Sequence, residues 1–385
     1  MKRILAAVTG IVLLGLLPLS AGAATLAEAG KSAVLMDVTT GTVLYEHNSH
    51  EALAPASVTK VMTMLLIMEA VDSGKIALTD TVTASEAAAA KGGSQIYLKA
   101  GETMSVSDML KSIAVSSAND CACAMAEHIC GSESAFVEAM NRRAKELGMQ
   151  DTHFVNCTGL DDDDSAKLHR TSTYDIALMS RELLKNHPDI KKYTTIWMDT
   201  VRNGAFGLSN TNKLIRFYPG ATGLKTGYTS GAGYCLSASA QKEGMELIAV
   251  VMGAKTSQAR NAACKELLDY GFANFAVVAP EPEELPQVAV RLGKQTQVPV
   301  KMEETAGMLI EKSQRSGITT EISLEDSVAA PVVRGQTLGS LSVKSGAQTL
   351  RQIPLVAAED VERLSTGDIF LAVLRRAAMA KETRE

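Results

Sequence analysis

Pro55-Ala56-Ser57-Val58-Thr59-Lys60 stands at the head of an apolar run that continues Val61-Met62-Thr63-Met64-Leu65-Leu66-Ile67-Met68-Glu69-Ala70-Val71. Between residues 58 and 71 only Lys60 and Glu69 carry charge, and neither Gly nor Pro interrupts. Such a run predicts a helix buried almost all round, entered through Pro55 and a hydroxyl residue. Three residues apart on that helix, Ser57 and Lys60 share a face and lie within reach of each other. A serine hydroxyl becomes a useful nucleophile only when a base takes its proton. A lysine can do so only when neutral, and its ordinary pKa is about 10.4. Burial and a second cation nearby would lower it, and a fall of about three units, or ~4 kcal/mol, suffices. Alone the pattern decides little. A capping serine beside a solvent-seeking lysine has the same spacing, and so does Ser239-Ala240-Gln241-Lys242 on an alternating, strand-like stretch.

Two further clusters lie downstream. Ser117-Ala118-Asn119 falls between helical stretches at 105–115 and 119–129. A helix cap is its simplest role. The chemical alternative makes Ser117 a proton relay beside Ser57 and Lys60, with Asn119 offering its amide to a substrate carbonyl or to Lys60. Lys225-Thr226-Gly227 sits in the glycine-rich stretch 223–233. Strands at 234–240 and 247–252 and a helix at 257–272 follow it, and a hairpin at 33–37 and 42–45 precedes the Ser57 helix. The pattern predicts an antiparallel meander closed by a helix. A lysine at a strand end can hold a carboxylate, and glycine beside it lets a substrate backbone approach the strand edge. Lys344-Ser345-Gly346 repeats the spacing far downstream in a region of different composition.

Composition narrows the field. The net charge is −5 and there is one Trp, so no basic, aromatic-studded surface for nucleic acid is present. Six histidines without a His-Glu-x-x-His pattern give no zinc-hydrolase signal. Six cysteines in a long chain are no small disulfide scaffold. Three lie in one apolar helical stretch and read as buried thiols, with disulfides left open in an oxidising compartment. Residues 1–23 combine Lys2 and Arg3, an apolar segment and the ending Ala21-Gly22-Ala23, which together read as a secretory signal peptide. The aspartates at 161–164 read as a solvated loop without calcium-site spacing.

Taken together, Ser-x-x-Lys, Ser-x-Asn and Lys-Thr-Gly in this order resemble the penicillin-recognising serine enzymes. The surrounding text, Ala54-Pro-Ala-Ser-Val-Thr-Lys-Val-Met-Thr, Gly92-Gly-Ser-Gln-Ile-Tyr-Leu, Phe154-Val-Asn-Cys-Thr-Gly-Leu-Asp-Asp and Gly223-Leu-Lys-Thr-Gly-Tyr-Thr, resembles low-molecular-mass D-alanyl-D-alanine carboxypeptidases of the S11 type. Within that group it looks similar to the sporulation-associated bacterial members. The likeness covers residues 30–275 and continues more weakly beyond. It implies the α/β (α+β) penicillin-binding, serine β-lactamase-like transpeptidase fold, with an antiparallel sheet flanked by helices. It also implies Ser57 as nucleophile, Lys60 as base, Ser117 and Asn119 as relay and carbonyl-binding pair, and Lys225 and Thr226 on the terminal carboxylate. Gly227 belongs to the same motif. Backbone N–H groups of Ser57 and Tyr228 would form the oxyanion hole, and Arg260 matches a family arginine that assists with the carboxylate. Ala118 stands where many relatives have Gly, and Cys157 where Pro is usual.

The activity implied by the resemblance is removal of the terminal D-Ala from peptidoglycan stem peptides through a Ser57 acyl-enzyme that β-lactams also form. No metal or organic cofactor is required. The setting is extracytoplasmic, in cell wall maturation or cortex formation. A β-lactamase would need a deacylating Glu-x-x-Leu-Asn, and Glu138-x-x-Asn141 lacks the Leu. A decayed wall-binding protein would have lost catalytic residues that are all present. Endopeptidase action on cross-links overlaps with the main reading. The expected organisation is a catalytic domain at 24–276, a Pro- and Glu-rich linker at 277–286, a β-rich domain at 287–366 and an amphipathic helical tail at 367–385. That tail would serve as a peripheral membrane contact or dock on its own domain.

Overall fold

A computed structural model describes residues 26–374 except 163, 280, 281, 283, 304–306 and 372. The expected signal peptide at 1–23 and residues 375–385 of the expected tail lie outside the described residues. A five-stranded sheet organises the first part of the chain. Its strands are β1 (Ser32–Asp37), β2 (Val43–His47), β3 (Ala221–Thr229), β4 (Gly233–Lys242) and β5 (Met245–Ala254), antiparallel in the order β2-β1-β5-β4-β3. The strands alternate between two cores, as a pleated strand with both faces covered must. Ala33, Leu35, Leu247, Ala249 and Val251 pack with Ala263, Cys264, Leu267 and Leu268 of a helix that closes one face. Val34, Met36, Ile248, Val250 and Met252 face the larger helical layer.

That layer contains α1 (Lys60–Asp72), α2 (Val106–Ser116), α3 (Asn119–Cys130), α4 (Glu133–Glu146) and α5 (Thr173–Asn186), while α6 (Ser257–Asn274) is the closing helix. Nine of the thirteen residues of α1 are buried, which explains why its sequence is apolar all round. Serines or threonines cap several helices. Ser105, Ser132, Ser172 and Thr256 each accept a bond from the backbone three residues on. α5 starts at Thr173, because Ser172 is its cap and Thr171 pairs with Leu53 in a β-bridge.

Beyond α6 the chain is β-rich, with a four-stranded, a three-stranded and a two-stranded sheet around two apolar clusters. Residues 277 and 278, expected in the linker, are strand. Phe275–Val278 pairs antiparallel with Met308–Glu311, and Phe275, Val277 and Leu309 pack against the α6 cluster. Residues 275–279 (Phe, Ala, Val, Val, Ala) are an unbroken apolar run, which suits a short strand better than a linker. In the described part of the tail, Phe370, Leu371, Val373 and Leu374 are exposed.

Candidate active site

Ser57 does not lie on the α-helix itself. Ala56–Thr59 forms a single 3-10 turn that leads into Lys60, and Ala56 has φ +47. An alanine in that conformation is held there by its surroundings. Thr59 Oγ1 donates to Ala56 O at 2.8 Å. Gly159 lies so close that a Cβ on it would stand 1.8 Å from Ala56 O. The turn still brings the two expected groups together. Lys60 Nζ is 2.9 Å from Ser57 Oγ and 2.8 Å from Thr158 O, at 0% exposure. A protonated lysine donates to Ser57 and a neutral one accepts from it, so the geometry of this contact suits proton transfer.

The end of α2 supplies the second cluster. Ser117 terminates that helix in the left-handed region, at φ 63, with its hydroxyl oxygen buried and unpartnered. Asn119 opens α3. Its amide donates not to Lys60 but to Gly92 O at 2.7 Å, while its N–H donates to Ser94 O at 2.7 Å and its Oδ1 is buried without a partner. Asn119 therefore anchors the loop 92–98. Asp120 holds the same loop by accepting from the N–H groups of Ile96 and Leu98.

β3, at the edge of the sheet, carries the third cluster. Gly227 packs directly on the Ser57 turn, where a Cβ would stand 2.7 Å from Pro55 O and 3.0 Å from Val58 N. The glycine is thus required by the protein's own turn, a reason distinct from the substrate approach expected from the sequence. Lys225 is buried and donates to Thr226 O at 2.9 Å. Thr226 donates to Thr211 Oγ1 at 2.7 Å, and Thr211 N–H donates to Val115 O, tying the strand to the end of α2 beside Ser117. Tyr228 is 56% exposed, its ring 4.3 Å from that of Tyr234. Arg260 of α6 is buried over Tyr234 and donates to Asn261 Oδ1 and Cys235 O. No carboxylate pairs with it among the described residues.

Burial governs the electrostatics. It lowers Lys60 to about 7 against the opposing influence of Cys157 and Asp120. The second cation expected to depress Lys60 acts in the other direction: burial, then Lys60, then Arg260, hold Lys225 well below the ordinary lysine value. Burial also lowers Arg260. An anion entering here would favour the charged forms of Lys225 and Arg260, which no described carboxylate compensates.

Residues 20–256 match the family described as D-alanyl-D-alanine carboxypeptidase, and residues 279–363 match the C-terminal domain of penicillin-binding protein 5. The chain belongs to the D-alanyl-D-alanine carboxypeptidase family. It is 45% identical to D-alanyl-D-alanine carboxypeptidase DacF of Bacillus subtilis, over 98% of each chain. Penicillin-binding protein 5 of Haemophilus influenzae superimposes with a TM-score of 0.76 at 30% identity, over 89% of this chain and 99% of that one. Penicillin-binding protein D2 of Listeria monocytogenes in its ampicillin-bound form gives 0.58 at 32% identity, over 63% and 98%. For this carboxypeptidase-family chain, the fold expected from the three motifs is the fold found.

Several contributors carry no local sequence signal. His169 is buried, and burial ahead of the charges of His153, Arg170 and Lys60 lowers it to about 4. Its Nδ1 accepts from Val155 N–H, which leaves the proton on Nε2 for Thr59 Oγ1, itself the donor to Ala56 O. Thr158 and Thr211 are likewise visible only in three dimensions. Among the described residues, Glu69, Glu182 and His187 have the spacing of a cation site. Arg143 donates to both of those carboxylates, and Asp72 pairs with the histidine.

Proposed function

We propose that the chain removes the terminal D-alanine from peptidoglycan stem peptides ending in D-Ala-D-Ala. The observation that carries this reading is a fully buried Lys60, lowered to about 7, at 2.9 Å from the Ser57 hydroxyl. In the proposed reaction Lys60 takes the Ser57 proton as Oγ attacks the carbonyl between the two D-alanines. Backbone N–H groups of Ser57 and Tyr228 receive the oxyanion. Lys225, Thr226 and Arg260 hold the terminal carboxylate, and Gly227 lets the strand close on the Ser57 turn. The buried, unpartnered Ser117 hydroxyl relays a proton to the departing amine, and Asn119 turns its second amide hydrogen to the peptide. Water then hydrolyses the acyl-enzyme. A β-lactam enters by the same attack and stalls as an ester of Ser57.

Residues 1–23 direct export, so this chemistry takes place outside the cytoplasmic membrane. The resemblance of the motif text to sporulation-associated carboxypeptidases supports a role in cell wall maturation or cortex formation. No helix among the described residues is long and apolar enough to cross a membrane. The exposed Phe370, Leu371, Val373 and Leu374 support a peripheral membrane contact by the tail. The deciding experiment measures D-alanine release from an acyl-L-Lys-D-Ala-D-Ala peptide by the mature protein and by Ser57→Ala. Release by the first alone is expected. No release by either folded protein sinks the proposal for that substrate.

A further inference from the structure

Glu133 belongs to none of the three motifs, yet both of its carboxylate oxygens are committed to segments that hold them. It is the first residue of α4. Its Oε1 accepts from the Cys157 N–H and thiol, each at 3.2 Å. Its Oε2 accepts from Lys91 Nζ at 2.6 Å and from the Cys123 thiol at 3.8 Å. From Cys157 the chain passes directly to the base. The Cys157 carbonyl accepts from Thr63 Oγ1 at 2.6 Å, and the next carbonyl, that of Thr158, accepts from Lys60 Nζ at 2.8 Å. From Lys91 the chain passes directly to the other wall, since Gly92 O accepts the Asn119 amide at 2.7 Å.

We propose that Glu133 is a positioning residue for Lys60, acting through the backbone of Cys157 and Thr158, with Lys91 as its counter-ion. This rests on the reading of Lys60 as the proton acceptor. When Thr158 O takes one hydrogen of the amine, the nitrogen lone pair of neutral Lys60 is left to face Ser57 Oγ. The direction of that lone pair depends on where the Thr158 carbonyl stands, and that carbonyl is one residue from the N–H that Glu133 grips. A carboxylate acceptor makes this grip stronger than a neutral one would. Burial works to raise the Glu133 carboxyl, but the Lys91 bond and charge, with the Cys157 donors, bring it below its ordinary value. It stays ionised at neutral pH. The Lys91–Glu133 pair thereby couples the loop under the base to the loop that carries the Asn119 contact.

The test measures acylation of the mature protein by a fluorescent penicillin, separating the non-covalent dissociation constant from the acylation rate constant, with thermal unfolding recorded alongside. For Glu133→Ala the rate constant is expected to fall about tenfold while the dissociation constant stays within about twofold. Glu133→Gln keeps an acceptor oxygen for the Cys157 N–H and should recover most of the rate. If the alanine variant is not folded at the assay temperature, Glu133→Asp carries the test, since it keeps the charge but draws it back from Cys157. The same selective fall is expected there. Acylation at the wild-type rate overturns the proposal, and so does a fall in rate matched by an equal loss of non-covalent affinity. A wild-type protein that is acylated yet releases no D-alanine would instead refute the carboxypeptidase reading and leave the Glu133 comparison standing.

Discussion

Desolvation brings Lys60 to about 7 in spite of Cys157 and Asp120, so the neutral amine that the proposed mechanism needs is accessible near neutrality. In the carboxypeptidase assay kcat/KM should therefore rise about tenfold per pH unit on the acid side and level off above about 7. A limb centred above pH 9 would show that Lys60 is not the group that must lose a proton. The same shift has a stability consequence of definite sign. The folded-state pKa lies below the unfolded one, so between about 7 and 10.5 the unfolded chain binds a proton that the folded chain does not. The destabilisation is full below about pH 7 and disappears as pH rises towards 10.5. Lys60→Met should abolish acylation and stabilise the protein at pH 7 by at most ~4 kcal/mol. The lost bonds to Ser57 and Thr158, about 1 kcal/mol each, reduce that gain. Unfolding measured at pH 7 and at pH 10 checks it, because the advantage should shrink at the higher value. Ser57 and Lys60 are legible in the sequence because they stand three positions apart. His169 and Thr59 are not, since they lie 110 positions apart and no periodicity links them.

At the scale of elements, Ser57, the proposed nucleophile, is placed by a strand and a loop pressing on one turn. β3 approaches at Gly227, and the loop containing Gly159 approaches Ala56 from elsewhere. Gly227→Ala would put a methyl 2.7 Å from Pro55 O and push the turn away from Lys60. Acylation should fall about a hundredfold or more while the circular dichroism spectrum stays native. Gly231→Ala, in the same glycine-rich stretch, meets only an ordinary contact at 3.4 Å and serves as the control that keeps its rate. Wild-type acylation by Gly227→Ala would mean that the turn tolerates displacement. Sheet, meander and closing helix are legible in the sequence, because each strand or helix declares itself by its own alternation or apolar face. The 3-10 turn at Ser57 is not. Its φ at Ala56 is imposed by a loop about a hundred residues away, and an unaided reading of the run extends the helix through it. The destination of the Asn119 amide fails to appear for a similar reason, since Gly92 O is a backbone group that any residue would provide.

Across the whole molecule, no cysteine is joined to another. All six thiols are free, and five are buried, on both sides of the central sheet. Burial raises Cys235 to about 11 and Cys264 to about 12, and holds Cys121 and Cys157 well above the ordinary thiol value. Cys130 alone is partly accessible. For a protein proposed to be exported, this makes the fold itself the protection against oxidation. It also turns the cysteines into a built-in clock for rare openings. In native buffer a thiol-reactive dye should modify one residue promptly, and the other five only as often as the surrounding layer breathes. Peptide mapping of the modified sites over hours would read out the opening rate of each layer separately: Cys264 for the α6 side, and Cys121, Cys123, Cys157 and Cys235 for the side that holds Ser57. Prompt modification of all six would mean that the protein spends much of its time ajar. A wide spread of rates would rank its two cores by how seldom they let the solvent in.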